Sequence, residues 1–396
     1  MARKSFYFGV EIELVAEPHA VLPQSNRKSY YKLYYEKLAA CLRRHDIDAV
    51  ADSLAGGYRK HSEHYDKWFI TKDGSLGIPT DDAIPLEAVS RVCDTAYNWE
   101  DEIDFFWTSW GEVFKLPRRS AKCGSHIHVS PGPDKCFTLM ELKKIACGII
   151  YYADNLTDML PQSRRNNQYC QMNWEVLGIG WGNCDSEDMR QAMKTIWEID
   201  DKGRLKNFMQ DDRYVLWNFE HVAPTDTCNS CSGTVEFRGG RGLRGPNRTK
   251  WWIAFVLSFI QLCISIESFP NVNTVNRPST DSFWRLIQKY ARTIQVAAFL
   301  PPDWHHLNES YKERERETLL TSPCRSGQSE DAEDSFSDES ETSSIVSKGA
   351  SESSRSPTPE LAYSLAAVLR DLDLEPYSSP TPSPPPGCVR WGESSL

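Results

Sequence analysis

Apolar and polar residues alternate with period two in several short stretches of this chain and recur at helical spacing in several longer ones. FYFGVEIELVAE, Phe6 to Glu17, alternates as a strand does: Val10, Ile12 and Leu14 fall on one face, Glu11 and Glu13 on the other. CGSHIHVSPG, Cys123 to Gly132, sets Ile127 and Val129 against His126 and His128, and TVEFRGG sets Val235 and Phe237 against Glu236 and Arg238. LEAVSR adds a short strand around Glu87, and WFITKDGSL, Trp68 to Leu76, is a strand entering a Lys-Asp-Gly turn. Helical spacing covers the run from Ser29 to His45, then Cys93 to Trp107, Ser186 to Met209, and Asp281 to Phe299, which Pro301-Pro302 brings to a stop. Thr138 to Met159 predicts another helix, with Thr138 as N-cap and Glu141 completing a capping box. Strands and helices mix without a regular βα repeat, so the pattern predicts an α+β fold.

Beyond about Thr321 the pattern dissolves into Ser, Glu, Asp and Pro, with SPTPE and PTPSPPPG as examples. That shift predicts a folded domain over 1–320 and an acidic, disordered tail over 321–396. Within the tail, Glu360 to Leu374 has the spacing of a short amphipathic helix, a candidate docking peptide for a protein partner. The tail holds 13 acidic against 5 basic residues, −8 of the chain's −10. The folded part is thus near neutral, which offers no basic surface for nucleic acid. Trp251 to Ile266, WWIAFVLSFIQLCISI, is the longest apolar run; at about 16 residues it is short for a membrane span of about 20 and predicts a buried core helix. Glu11 and Glu13 interrupt the early apolar run before a signal-peptide core forms, so a cytoplasmic protein is expected. The 12 cysteines are expected to be reduced thiols, and the lone CxxC at Cys228 and Cys231 has no second pair at zinc-ribbon spacing.

Four strands therefore each carry ionisable side chains on one face and apolar ones on the other. An ordinary half-solvated sheet would show Thr, Lys, Ser and Gln there, whereas carboxylates and imidazoles in pairs repel or compete unless something cationic lies among them. Several carboxylates joined by one or two imidazoles suit Mg²⁺ or Mn²⁺. Arg238 beside them suits a phosphate, held by charge-assisted hydrogen bonds. Together they describe a phosphoryl-transfer site, and no GxxxxGK[ST] is present to make it a P-loop.

FGVEIEL, TKDGSL, LEAVS, CGSHIHVS, the SRRNNQYC run from Ser163 to Cys170, and GTVEFRGG stand in the order found in the amidoligase family, which the chain resembles from about Phe6 to Phe299. That family is a distant relative of glutamine synthetase and glutamate–cysteine ligase. The resemblance implies an antiparallel sheet curved into a glutamine synthetase-like half-barrel, with helices on its convex face and metals and ATP on its concave face. It implies metal ligation by Glu11, Glu13, Glu87, His126 and Glu236, and nucleotide phosphate contacts from His128 and Arg238. Lys72 and Asp73 match the family's KDGS-like turn, and Arg164 and Tyr169 its R-x-x-N-x-Y-C run, close to the acyl or amine substrate. Arg241 and Arg244, in the GGRGLRG loop, are further phosphate candidates or plain surface arginines.

The activity so implied is ATP-dependent ligation of a small-molecule or peptide carboxylate to an amine through an acyl phosphate, with Mg²⁺ or Mn²⁺. Two other classes remain open at this point: a non-catalytic nucleotide-binding or interaction module on the same fold, and a metal-dependent amide hydrolase.

Overall fold

The alternation in Phe6 to Glu17 becomes β1 (Tyr7–Ala16), in which Phe8, Val10, Ile12, Leu14 and Ala16 are buried in turn while the residues between them are half-buried. Seven further strands complete one sheet: β2 (Ala49–Ala51), β3 (Trp68–Thr71), β4 (Ile84–Val89), β5 (Cys93–Asp94), β6 (Gly124–Ser130), β7 (Trp217–Asn218) and β8 (Val235–Arg241). This computed structural model describes residues 5–308 apart from 24–25, 55–64, 78–81, 119, 121, 134, 166, 178–185, 224–231 and 268–277. The chain divides into two units, Met1–Arg325 and Ser326–Leu396, and the described residues belong to the first. The tail beyond 321, its helix at 360–374 and the Cys228–Cys231 pair lie outside the described residues.

The strand order is β2-β3-β4-β1-β6-β8-β7, with β5 pairing the start of β1. Every pairing is antiparallel except β2 with β3, and the sheet is open. One of its faces is the apolar set from β1, β6 and β8, which helices cover. Phe8 meets Trp99 edge-on at 5.3 Å, and Phe237 stacks on Trp252 at 5.4 Å. Trp99 begins the helix Trp99–Val113, and Trp252 lies in the helix Pro246–Ser265, the apolar run anticipated as a core helix. These two helices are joined by Trp107 Nε1 donating to Thr249 Oγ1 at 2.9 Å, both residues being buried. No helix of the described residues is long and apolar enough to cross a membrane.

Four expected helices differ from the structure in their limits, for reasons of strand pairing, packing or capping. The one expected from Cys93 begins only at Trp99, because Cys93 and Asp94 pair with Phe8 and Tyr7 as β5. Thr95 Oγ1 also accepts the Phe6 N–H at 3.0 Å, which ties the segment to the sheet. The run from Thr138 keeps its capping box but breaks at Tyr152 into Leu139–Tyr151 and Ala153–Met159. The Tyr152 ring stacks on Phe283 at 4.6 Å, a tertiary contact no local pattern records. The run from Ser186 divides into Ser186–Glu198 and Lys202–Met209, the second capped afresh by Asp201, whose side chain accepts from Arg204 N at 2.8 Å. The helix expected from Asp281 to Phe299 spans Thr280–Thr293, and a separate 3₁₀ turn, Ala297–Phe299, follows it.

Candidate metal centre

The four strands that carry the charged pattern are neighbours: β4, β1, β6 and β8. Their register draws the ionisable residues into one patch. Glu13 pairs with Glu87, Glu11 with His126, and His128 with Glu236. Because successive side chains in a strand alternate faces, Glu11 and Glu13 meet His126, His128, Glu236 and Arg238 on the face opposite the apolar core.

Both imidazoles reach the same two carboxylates. His126 Nδ1 is 3.0 Å from Glu11 Oε2 and 3.4 Å from Glu236 Oε1. His128 Nε2 is 3.3 Å from Glu11 Oε1 and 3.8 Å from Glu236 Oε1. The second nitrogen of His126, Nε2, lies 3.5 Å from Glu13 Oε1. Among the described residues, Glu11, His128 and Glu236 form the group whose donor atoms all fall within 4.8 Å of one another. Two carboxylate oxygens and an imidazole nitrogen in such a cluster fit a divalent cation. Of the pair, His126 is buried, 3% exposed, and only His128 keeps a modest solvent contact.

The cluster is electrically uneven. Burial pushes the Glu236 carboxyl up, yet His128, Arg238 and His126 outweigh it and bring it down to about 2. Of these, Arg238 is the permanent cation: its Nη1 donates to Glu236 Oε1 at 2.6 Å. Burial, with Arg238 beside it, pushes His126 down to about 4, so this imidazole is neutral at pH 7. Burial lowers Arg238's own hold on its proton, but the Glu236, Glu11 and Glu13 carboxylates more than restore it.

A second carboxylate group adjoins the first. Burial pushes Glu13 up to about 8, with the charges of Asp73 and Glu87 adding to the effect and Arg164 and Arg238 opposing it. Glu13 Oε2 accepts the Gly124 backbone N–H at 2.8 Å. Only glycine permits this approach: a Cβ at position 124 would stand 2.9 Å from Glu13 Oε2 and 3.2 Å from Arg164 Nη2. Asp73, buried, accepts from Ser75 N at 2.7 Å and from Ser75 Oγ at 2.8 Å, which shapes the Lys-Asp-Gly turn; Lys72 beside it is half-buried. Glu87 is buried on β4 between Thr71 and Glu13 in register.

The remaining expected site residues surround this patch at different depths. Arg164 is 1% exposed, and its Nη2 donates to the Arg238 carbonyl at 2.6 Å. Tyr169 gives its carbonyl to Arg238 Nε at 3.2 Å, and its half-buried ring meets Tyr214 at 5.8 Å. Arg241 is buried at the end of β8, opposite Gly124. Arg244 is half-buried with Nε donating to the Pro117 carbonyl at 2.9 Å. Two residues at the patch escaped the sequence reading. His221 is exposed and sets its ring 6.0 Å from His128. Asn218, on β7, donates from Nδ2 to Glu236 Oε2 at 2.6 Å. The signal for Asn218 was a polar residue between Trp217 and Phe219, invisible to a search for ionisable pairs alone.

A family profile described as "Putative amidoligase enzyme" matches residues 4–260. That range contains all eight strands and every member of the charged patch. No curated protein matches the chain.

Proposed function

The chain belongs to the amidoligase family, and from that premise we propose that it is an ATP-dependent carboxylate–amine ligase. The observation that carries this reading is the convergence of Glu11, His128 and Glu236 beside Arg238 on one sheet face. In this reading the open sheet is a half-barrel of glutamine synthetase-like type, and its charged face receives the nucleotide.

The reaction has two balanced steps. A substrate carboxylate oxygen attacks the γ-phosphorus of ATP, giving an acyl phosphate and ADP. An amine nitrogen then attacks the acyl carbon, forming the amide and releasing phosphate and a proton. A free carboxylate is a poor electrophile, and phosphorylation supplies its leaving group.

Glu11, His128 and Glu236 would hold one Mg²⁺ or Mn²⁺, and Glu13 with Glu87 a second, with His126 between the two groups. Bound there, divalent cations neutralise phosphate charge. The protein's own contribution is preorganisation. Arg238 keeps Nη1 on Glu236 and Nε on the Tyr169 carbonyl, and among the described residues Nη2 has no partner. That leaves an N–H fork for a phosphate oxygen, where charge builds during transfer. Arg164 balances part of the charge of the Glu13 group, and Asp73 fixes the turn beside it.

The test is a screen of amino acids, peptides and amines for ADP release in Mg-ATP. The expected result is release that needs both an acid and an amine, together with Mg²⁺-dependent ATP binding by calorimetry. Glu236→Ala should abolish both. Amide cleavage with metal but without ATP would move the assignment to a hydrolase. Tight ATP binding with no turnover across the screen would move it to a binding module.

A further inference from the structure

The row of charged side chains ends, at β7, on a residue with no charge. Asn218 is directly opposite Glu236 in the β7–β8 register and is 2% exposed. Its amide orientation is fixed by backbone N–H groups, which can only donate. The Glu220 N–H donates to Asn218 Oδ1 at 2.8 Å. The Phe219 N–H donates to Gln210 Oε1 at 2.5 Å, which turns the Gln210 Nε2 toward Asn218 Oδ1, also at 2.8 Å. Gln210 is buried as well. With Oδ1 accepting twice, Asn218 meets Glu236 through its NH₂, and Glu236 Oε2 must accept.

The other oxygen of Glu236 is engaged differently. Oε1 faces Arg238 Nη1 at 2.6 Å, His126 Nδ1 at 3.4 Å and His128 Nε2 at 3.8 Å. One oxygen is therefore tied to the scaffold and the other is turned into the cluster. The terminal torsion of a glutamate is broad, so a carboxylate without such a tie samples both one-oxygen and two-oxygen approaches to a cation.

We infer that Asn218, oriented by Gln210, is a positioning residue that occupies Glu236 Oε2 and so presents Oε1 alone, in a fixed direction, to a divalent cation held with Glu11 and His128. The inference rests on reading those three residues as a metal centre. Partners of this outer kind typically change metal affinity by roughly 10–100-fold when removed.

The experiment is Mn²⁺ titration of the full-length protein, followed by electron paramagnetic resonance of free and bound metal. The variants are Asn218→Ala, Asn218→Asp, Gln210→Glu, the Asn218→Ala/Gln210→Glu double variant, and Thr249→Val. The last removes a buried hydrogen bond between two helices that cover the apolar face of the sheet and serves as a stability control. Asn218→Ala should weaken Mn²⁺ binding by about tenfold or more, and at saturating metal the bound-Mn²⁺ line shape should change. Asn218→Asp should weaken it further, since a carboxylate would then face a carboxylate. Gln210→Glu touches no ligand, yet it should weaken binding, and its effect should vanish in the Asn218→Ala background. Thr249→Val should lower the melting temperature and leave Mn²⁺ affinity as it was. Wild-type binding with unchanged affinity and line shape in both Asn218 variants would overturn the positioning role alone. So would a Gln210→Glu effect that persists in the Asn218→Ala background; and where the Asn218 variants fail to fold, unchanged Mn²⁺ affinity and line shape in Gln210→Glu alone would overturn it. Wild type that binds no Mn²⁺ would overturn the metal centre itself, and the positioning role with it.

Discussion

Glu13 and Glu236 sit on the same sheet face, and their surroundings send them in opposite directions. Glu236 has Arg238 Nη1 at 2.6 Å and the Asn218 amide at 2.6 Å, so it stays ionised. Glu13 is ruled by burial and by the Asp73 and Glu87 charges, which push it up to about 8 against an ordinary carboxyl near 4.5. The folded protein thus holds this proton more tightly than the unfolded chain does. The stability so contributed is complete below about pH 4.5 and is lost as pH rises toward 8. In chelator, Glu13→Gln should therefore gain on wild type between pH 5 and pH 8, by a few kcal/mol at most on the order of 1.4 kcal/mol per unit. Urea unfolding at several pH values reads this, and parallel stability curves would remove the assignment. His126 runs the other way. Pushed down to about 4 by burial and Arg238, it contributes stability that is full above about pH 6.5 and is lost as pH falls toward 4.

Among the elements, β6 leaves little room for change at its start. Its first residue, Gly124, lies where the Glu13 carboxylate and the Arg164 guanidinium close on the backbone. Gly124→Ala should displace Glu13 Oε2, weaken binding at the Glu13–Glu87 group, and leave the Glu11–His128–Glu236 group largely intact. A Mn²⁺ stoichiometry falling from two to one would show this; loss of both or of neither would contradict it. The helix Leu139–Tyr151 gives a contrasting case. Thr138 and Glu141 form its capping box, with Glu141 N at 3.2 Å from Thr138 Oγ1, and these capping bonds involve no residue of the patch. Thr138→Ala should cost about 1 kcal/mol in chemical denaturation and leave metal affinity unmoved.

At the scale of the whole molecule, the patch joins β4, β1, β6 and β8, segments drawn from Glu11 to Arg238 of the chain. A cation bound there links those strands only in the folded state. Mn²⁺ at about 100 times its Kd should thus stabilise the protein by roughly 2.7 kcal/mol. EDTA should reverse the gain, and Glu11→Ala should not show it; equal melting temperatures with and without metal would sink the prediction. The alternation of polar and apolar residues was enough to place β1, β4, β6 and β8 and to say which face of each is apolar, because side-chain direction in a strand follows from position alone. The same local rule identified Glu11, Glu13, Glu87, His126, His128, Glu236 and Arg238 as members of one charged face. It carried no information on register, so it did not say that Glu13 faces Glu87 or that His128 faces Glu236. Nor did it show where the helices from Thr138 and Ser186 break, since packing at Tyr152 and fresh capping by Asp201 decide that. Asn218 reached Glu236 only by tertiary pairing of β7 with β8, and Gln210 reached only Asn218. The sequence by itself determined which residues share a face; strand pairing and burial determined their distances and their charges, because both depend on neighbours remote along the chain.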